Sequence, residues 1–453
     1  MSRQSTRASG RASAIATNTT GALEAPPHPR KPAALDAAWL RSRALRCGAD
    51  DAGLAAANDP RLAGEAAAAA VLMPGTRTFV SLAIRVHREN TRSPMRSLHN
   101  LEQYRASSAL AEAARSLAVA IQKKGARAVH VPPAFPADFD SPLRLANRIS
   151  HKTIAEAAGL GRMGLNRLLL HPEYGSCVLL TTVLVDGAAS GYDRPLDGNP
   201  CIGCGLCAAA CPTGAISADG HFNATACLTH NYRHHLGGFQ QWANDLADSR
   251  SAAGFRARHS DLETLELWQG LTYTESNRCG YCVSVCPAGR EAVGEYRGDR
   301  GSYLETVVNP LRDRREPVYA VPGSDADGYA ELHFPGKTTR RAPGGRRVSS
   351  IAELFEVIPI AFQRGKSAGL SASYGFTFSG REPAEFTVAI TDRRVSVRPG
   401  RPESPDIRVR CDSDLWLRIV NGDSSPFWAV ITGRLSVRGP LQLLSRFRRC
   451  LPL

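Results

Sequence analysis

Apolar positions fall into two blocks of different rhythm, joined by a cysteine-rich stretch. In the first block, helical stretches alternate with short apolar runs. Ala34 to Cys47 is rich in helix formers, and Glu65 to Leu72 is an Ala-rich helical stretch stopped near Pro74–Gly75. Thr78 to Val86 (T-F-V-S-L-A-I-R-V) has the β-branched, apolar content of a buried strand. Ser107 to Lys123 predicts a helix with Leu110, Ala114, Leu117 and Ile121 on one face, and Ala128 to Val131 a short strand. A helix ends at Ala158, Gly159, Gly161 and Gly164 make a turn, and Val178 to Val185 is a second buried strand. Residues 308–345 are rich in Pro, Gly and Arg and predict a linker.

Beyond the linker the period changes. Ser350 and Glu353 have capping-box spacing and open an amphipathic helix with Ile351, Leu354, Phe355 and Ile358. Period-2 strands follow at Tyr374/Phe376/Phe378, Phe386/Val388/Ile390, Val395/Val397 and Ile407/Val409/Cys411. A helix over Leu415–Val420, capped by Asn421–Gly422, precedes a strand at Leu435 and Val437 and a terminal helix with Leu441, Leu444 and Phe447. The pattern predicts a multidomain protein of α/β and α+β parts: a disordered tail (1–35), an α/β domain (36–195), a cysteine-rich module (196–305), a linker (306–347) and an α+β domain (348–453).

The 453 residues suffice for several domains, and 43% hydrophobic with 22% charged residues describes a globular chain. No apolar stretch reaches membrane-spanning length. No signal core or twin arginine opens the chain, so the cytoplasm is the expected compartment. The net charge of +14 is mostly arginine. No Lys/Arg run carries interleaved aromatics, so nucleic acid is not expected as a partner.

Eight of the twelve cysteines carry the chemistry. Cys201, Cys204, Cys207 and Cys211 have the spacing C-x2-C-x2-C-x3-C-P, and Cys279, Cys282 and Cys286 have C-x2-C-x3-C-P. This is the ligand spacing of two 4Fe–4S clusters, in which the cysteine before proline serves the other cluster. Cys201, Cys204, Cys207 and Cys286 then hold one cluster. Cys211, Cys279 and Cys282 need a fourth ligand, and Cys227 is the natural supplier. Structural zinc uses well-separated cysteine pairs and fits this layout poorly. Cys47, Cys177, Cys411 and Cys450 read as small hydrophobes.

The string A-A-G-L-G-R-M-G-L-N-R-L-L-L-H-P-E-Y-G-S (157–176), with this cysteine order, resembles epoxyqueuosine reductases and, more distantly, reductive dehalogenases. The resemblance implies a cobalamin beside the two clusters, in a corrinoid cavity bordered by Gly159, Gly161, Gly164, Asn166, Tyr174, Gly175 and Ser176. It implies electrons passing through the clusters to a hydrophobic or carrier-held substrate, delivered by an external donor such as flavodoxin or ferredoxin. Alternatives are a cobalamin-free electron-transfer protein and a tRNA-modifying reductase. Three positions depart from the family: Leu145 replaces its acidic residue, Leu165 its lysine and Arg162 its tryptophan.

Residues 348–453 resemble a sterol-carrier-type domain through L-F-E-V-I-P, F-T-V-A-I-T-D-R-R-V-S-V-R-P-G and A-V-I-T-G-R-L-S-V-R-G. That resemblance implies an apolar or lipid ligand held among Tyr374, Phe376, Phe386, Phe427 and Trp428, residues that also suit a plain core. Tyr104 and His151 are candidate proton donors. His230, His234 and His235 could tune the second cluster, though histidines so placed are usually solvated.

Overall fold

The computed structural model describes residues 34–134, 149–234, 236–273, 276–342 and 347–452. Residues 1–33 of the tail, and Asp138, Asp140, Leu145, His235 and Arg346, lie outside them.

The first domain runs α1 (Ala37–Arg46), β1 (Asp51–Ala56), α2 (Ala63–Leu72), β2 (Thr78–Arg85), α3 (Arg88–Arg92), α4 (Arg96–Gln122), β3 (Ala128–His130), α5 (His151–Ala157), β4 (Arg162–Met163), β5 (Leu169–Leu170) and β6 (Val178–Val185). Four strands form one antiparallel sheet in the order β1-β2-β6-β3. Both faces are covered, which is why β2 and β6 read as unbroken apolar runs. Val80, Leu82, Val183 and Val185 pack with Leu40, Leu110, Leu117 and Ile121 on one side. Phe79 and Leu184 pack with Leu62 and Ile154 on the other.

Two features exceed the sequence pattern. β1, D-A-G-L-A-A, has weak strand propensity and forms only because β2 offers it a paired edge. The helix predicted from Ser107 begins at Arg96, because its first turns are polar and face the cysteine module rather than the core.

That module contains α6 (Leu206–Ala209), α7 (Ala224–Asn231), α8 (Leu236–Ala247), α9 (Ala252–Arg258), α10 (Asp261–Tyr273), α11 (Tyr281–Ser284), α12 (Arg290–Gly298) and α13 (Arg300–Tyr303). The stretch between Cys227 and Cys279 is thus largely helical.

The expected linker is folded. Residues 306–347 include α14 (Asn309–Arg312), β7 (Glu316–Ala320), α15 (Tyr329–His333) and β8 (Lys337–Arg341), with β7 and β8 paired in parallel. Its polar and Pro/Gly-rich composition hides a buried ion pair. The Lys337 ammonium, fully buried, lies 3.1 Å from Glu316 and donates to the Leu311 and Arg314 carbonyls. Tyr281, two residues past Cys279, donates to the same carboxylate. Burial pushes the Glu316 carboxyl up, but Lys337, the Tyr281 hydrogen bond and Arg314 outweigh it and hold the group below its ordinary range.

The last domain has α16 (Ile351–Ala361), β9 (Ala372–Ser379), β10 (Ala384–Thr391), β11 (Arg394–Pro399), β12 (Ile407–Asp412), α17 (Ser413–Val420), α18 (Pro426–Ile431), β13 (Leu435–Arg438) and α19 (Leu441–Arg449). Its sheet has the order β11-β10-β9-β12-β13, parallel only between β9 and β12. Ser350 caps α16 through the Glu353 N–H, but Glu353 reaches back to Ser349 rather than to the cap. Tyr374, Phe376 and Phe378 are buried with Phe355, Trp416 and Phe447 around them. Phe386 is half-buried and stacks on Phe355 at 4.1 Å. Phe427 and Trp428 are not core: they sit 67% and 62% exposed on α18, a helix the period-2 reading missed.

Gln363 ties this domain to the cysteine module. Its buried carboxamide oxygen accepts from Asp325 N–H at 2.9 Å and from Asn223 at 3.4 Å, beside α7. Thr225 donates to the Ile360 carbonyl at 2.9 Å. Among the described residues, no helix is long and apolar enough to cross a membrane.

Candidate metal centre

The eight cysteines fall into two neighbourhoods that cut across sequence order, although among the described residues no group of three or more forms a ready metal site. Cys201, Cys204, Cys207 and Cys286 line one hollow with Leu165, Leu170, Ile202 and Pro287, about 330 Å3 of space opening to the surface. Gly203 and Gly205, at φ 68° and 74°, turn the loop in the left-handed region and let the first three cysteines face one point. Burial pushes the Cys207 thiol up to about 12, followed by the neighbouring sulfurs of Cys286, Cys204 and Cys201.

The second set follows the same logic. Burial pushes the Cys227 thiol up to about 12, with Cys211 adding to it. Cys279 is raised by burial and by Cys211 and Cys227, and Cys282 by burial and by Cys279, Cys227 and Cys211. Asn231 at the end of α7 accepts the Cys279 N–H at 3.1 Å, bringing Cys227 beside the last run. Cys207 also acts on Cys282, so the two sets adjoin. Buried sulfurs that repel one another as thiolates suit a cationic metal core, where coordination removes the proton outright.

Residues 196–217 match the 4Fe-4S binding domain family, and residues 361–452 the SCP-2 sterol transfer family. Over 82 residues the chain is 38% identical to an epoxyqueuosine reductase of Listeria monocytogenes, covering 18% of this chain and 21% of that protein. Over 77 residues it is 42% identical to the Lactococcus garvieae epoxyqueuosine reductase, covering 17% and 21%. This chain resembles the epoxyqueuosine reductases. It spans about a fifth of the length of these curated relatives. The solved epoxyqueuosine reductase of Streptococcus thermophilus superposes with a TM-score of 0.30 at 20% identity, over 42% of this chain and 56% of that one. A catabolic reductive dehalogenase solved with 3-bromo-4-hydroxybenzoic acid gives 0.37 at 20% identity, over 59% and 33%.

The corrinoid that resemblance to epoxyqueuosine reductases implies is not matched by the residues expected to border it. A Cβ on Gly159 would meet the Arg194 carbonyl oxygen at 2.6 Å, one on Gly161 that of Leu170 at 2.4 Å, and one on Gly164 the Leu170 side chain at 2.6 Å. The turn is closed by its own chain. Asn166 donates to the Cys282 carbonyl at 3.3 Å and Ser176 to that of Val283 at 2.8 Å. Tyr174 stacks on His171, and its carbonyl accepts from Arg88, which also donates to the Cys286 carbonyl. These contacts hold the second cysteine run against the first domain, and Asn166 also lines the hollow of the first cysteine set.

Gly175 shows how tight that contact is. It has φ 61°, and a Cβ there would lie 1.9 Å from the Ala288 carbonyl oxygen, two residues past Cys286. Gly175→Ala is expected to cost roughly 1–3 kcal/mol in backbone strain alone, with the clash added. Its measure is a lowered denaturation midpoint together with reduced iron retention.

His151 is buried with both ring nitrogens engaged, Nδ1 with Thr182 Oγ1 and Nε2 with the Pro132 carbonyl, each at 2.9 Å. Burial lowers its pKa, and the ring braces β6 instead of facing an open cavity. Tyr104 is half-buried on α4 with the Arg105 guanidinium over its ring. His230 and His234 are not solvated: they are 1% and 2% exposed. Burial, with Arg278 and other cations, holds them down at about 3 and about 2.

Sequence reasoning missed a basic cluster beside Cys279. Arg278, adjacent to it in the chain, and Arg96 share the Glu266 carboxylate at 2.9 and 2.7 Å. Arg314 lines the same space. Burial, then Arg278, lowers the Arg96 pKa, with Arg314 adding to it. The one available signal was Arg278 itself, a charge directly preceding a ligand cysteine.

Proposed function

We propose that this protein is an iron–sulfur reductase of the epoxyqueuosine reductase type that holds two 4Fe–4S clusters. The partition of the sulfurs carries the reading: Cys286 joins Cys201, Cys204 and Cys207, whereas Cys211 joins Cys227, Cys279 and Cys282. When bound, such clusters store and pass single electrons. The residues around them do the rest. Arg88 and Ser176 fix the last cysteine run through its carbonyls, and Leu165, Ile202 and Pro287 give the first set an apolar wall. The closeness of Cys207 and Cys282 within one packed cluster supports a short electron path from one site to the other. An external low-potential protein donor, such as flavodoxin or ferredoxin, supplies the electrons.

The SCP-2 sterol transfer match supports a small apolar molecule as ligand of the last domain. Gln363 contacts Asp325 and Asn223, and Thr225 of α7 donates to Ile360, so the last domain adjoins the helix that carries Cys227. A carrier-held substrate fits this arrangement. Cobalamin is left out of the reading because the residues expected to hold it are engaged with the chain itself.

Anaerobic reconstitution tests the proposal. About eight irons and eight sulfides per chain are expected, as two cubanes require, with an EPR spectrum of two interacting centres on reduction. A plateau at about four irons would sink the two-cluster reading.

A further inference from the structure

From the polar start of α4 and its neighbours, we infer a binding site for a small organic oxyanion carrying a hydroxyl, next to Cys279. The site is a hollow of about 660 Å3, lined by Pro94, Met95, Arg96, Asn100, Glu266 and Arg314 among others. A smaller hollow of about 270 Å3 shares Arg96 and Arg314 and continues to Arg278 and Cys279. An anion seated at Arg96 is therefore in line with a cluster ligand.

Three independent features favour negative charge there. The first is the count of charges: Arg96 and Arg278 share one carboxylate, Glu266, and Arg314, 3.6 Å from Glu316, shares that carboxylate with Lys337. The second is the helix end. α4 is 27 residues long and starts at Arg96, and Met95 provides no side-chain cap. The start of the helix, with the positive end of its dipole, borders the hollow through Met95, Arg96 and Ser97. The third is unmet hydrogen bonding. Among the described residues, the buried Arg96 Nη1 and Arg278 Nε lack acceptors, and the Asn100 carboxamide oxygen, in a residue 7% exposed, lacks a donor. An oxyanion answers the guanidinium groups and a hydroxyl answers Asn100. Ser97, Gln269 and Ser276 supply further polar partners, and Pro94 and Met95 supply an apolar wall.

Two chemistries present this pattern: a hydroxycarboxylate and a phosphate monoester. They are separated by titrating the anaerobically reconstituted full chain with malate and with glycerol 3-phosphate in a calorimeter, with sulfate as the bare anion. One of the two is expected to bind, and tighter than sulfate. Arg96→Met should weaken it roughly ten- to a hundredfold, the loss of a charge-assisted hydrogen bond. Arg96→Lys, which keeps the charge but not the fork, should weaken it less. If Arg96→Met folds poorly, the wild-type chain still decides, since its thermal midpoint must rise with the bound anion's concentration. The EPR signal of the cluster held by Cys279 should shift on binding. The inference is overturned if neither organic anion binds the wild type, if sulfate binds as tightly, or if Arg96→Met binds unchanged. Calorimetry does not depend on the clusters, so a chain that binds the anion but retains no iron would refute the redox reading and leave this site standing.

Discussion

Cys286→Ala is expected to lower the iron content of the reconstituted chain from about eight to about four per molecule, because one cubane loses a thiolate. Cys227→Ala should do the same, although it lies far from either cysteine run in sequence. Pairs of substitutions identify the sets. Cys201→Ala with Cys286→Ala should lose no more iron than either alone, since both serve one site. Cys211→Ala with Cys286→Ala should lose nearly all of it. If each run filled its own cluster, the Cys201/Cys286 pair would instead empty the chain, whereas the Cys211/Cys286 pair empties it on either assignment. Cys411→Ala and Cys450→Ala serve as controls: both residues are buried in the last domain, remote from the two sets. Iron and sulfide assays with EPR on the reduced variants read every arm.

Lys337→Met should destabilise the protein by about 3–5 kcal/mol, the usual result of stripping the partner from a buried charge. Glu316 is 4% exposed at its side chain, and Lys337 is its direct counter-ion. The substitution also leaves the Leu311 and Arg314 carbonyls without their donor. Denaturant midpoints measure the loss. The double variant Lys337→Met with Glu316→Gln should recover part of it, because the uncompensated charge is then gone. Full retention of stability in Lys337→Met alone would show that the ion pair does not brace the segment. Tyr281 hydrogen bonds to Glu316, so the single variant should also lose iron from the site that includes Cys279.

Much of the fold was legible because burial wrote it into the residues. β6 matches the predicted Val178–Val185 at both ends, since a strand covered on both faces needs an unbroken apolar run. The strands of the last domain were legible for the opposite reason, one buried face giving strict alternation. The segment around Lys337 was not, because it is held by a buried ion pair and a two-strand parallel pairing, neither of which leaves a periodic apolar trace. The early turns of α4 were hidden likewise: Arg96, His99 and Asn100 turn toward the metal centre, so no apolar stripe marks them.

At the centre itself the cysteine spacing predicts the ligand sets, and the fold brings Cys286 to the hollow of Cys201, Cys204 and Cys207. The glycine turn misled. Gly161 and Gly175 do allow close approach, but what approaches is the Leu170 or Ala288 carbonyl. A glycine's requirement for space is visible in a sequence; the identity of the neighbour is not.

The crossing of the two sulfur sets bears on how the protein is made. On the proposed two-cluster reading, a ribosome that has released Cys201, Cys204, Cys207 and Cys211 has delivered three ligands of one cubane and one of the other. The second cannot close until Cys282 has emerged, nor the first until Cys286 has, both after the whole helical insertion. Iron delivery must therefore follow translation of the module, and a chain cut short anywhere before Cys279 carries no complete site to load. The nascent thiols need shelter from oxidation during that interval, and a chain that ends before Cys282 cannot complete either site.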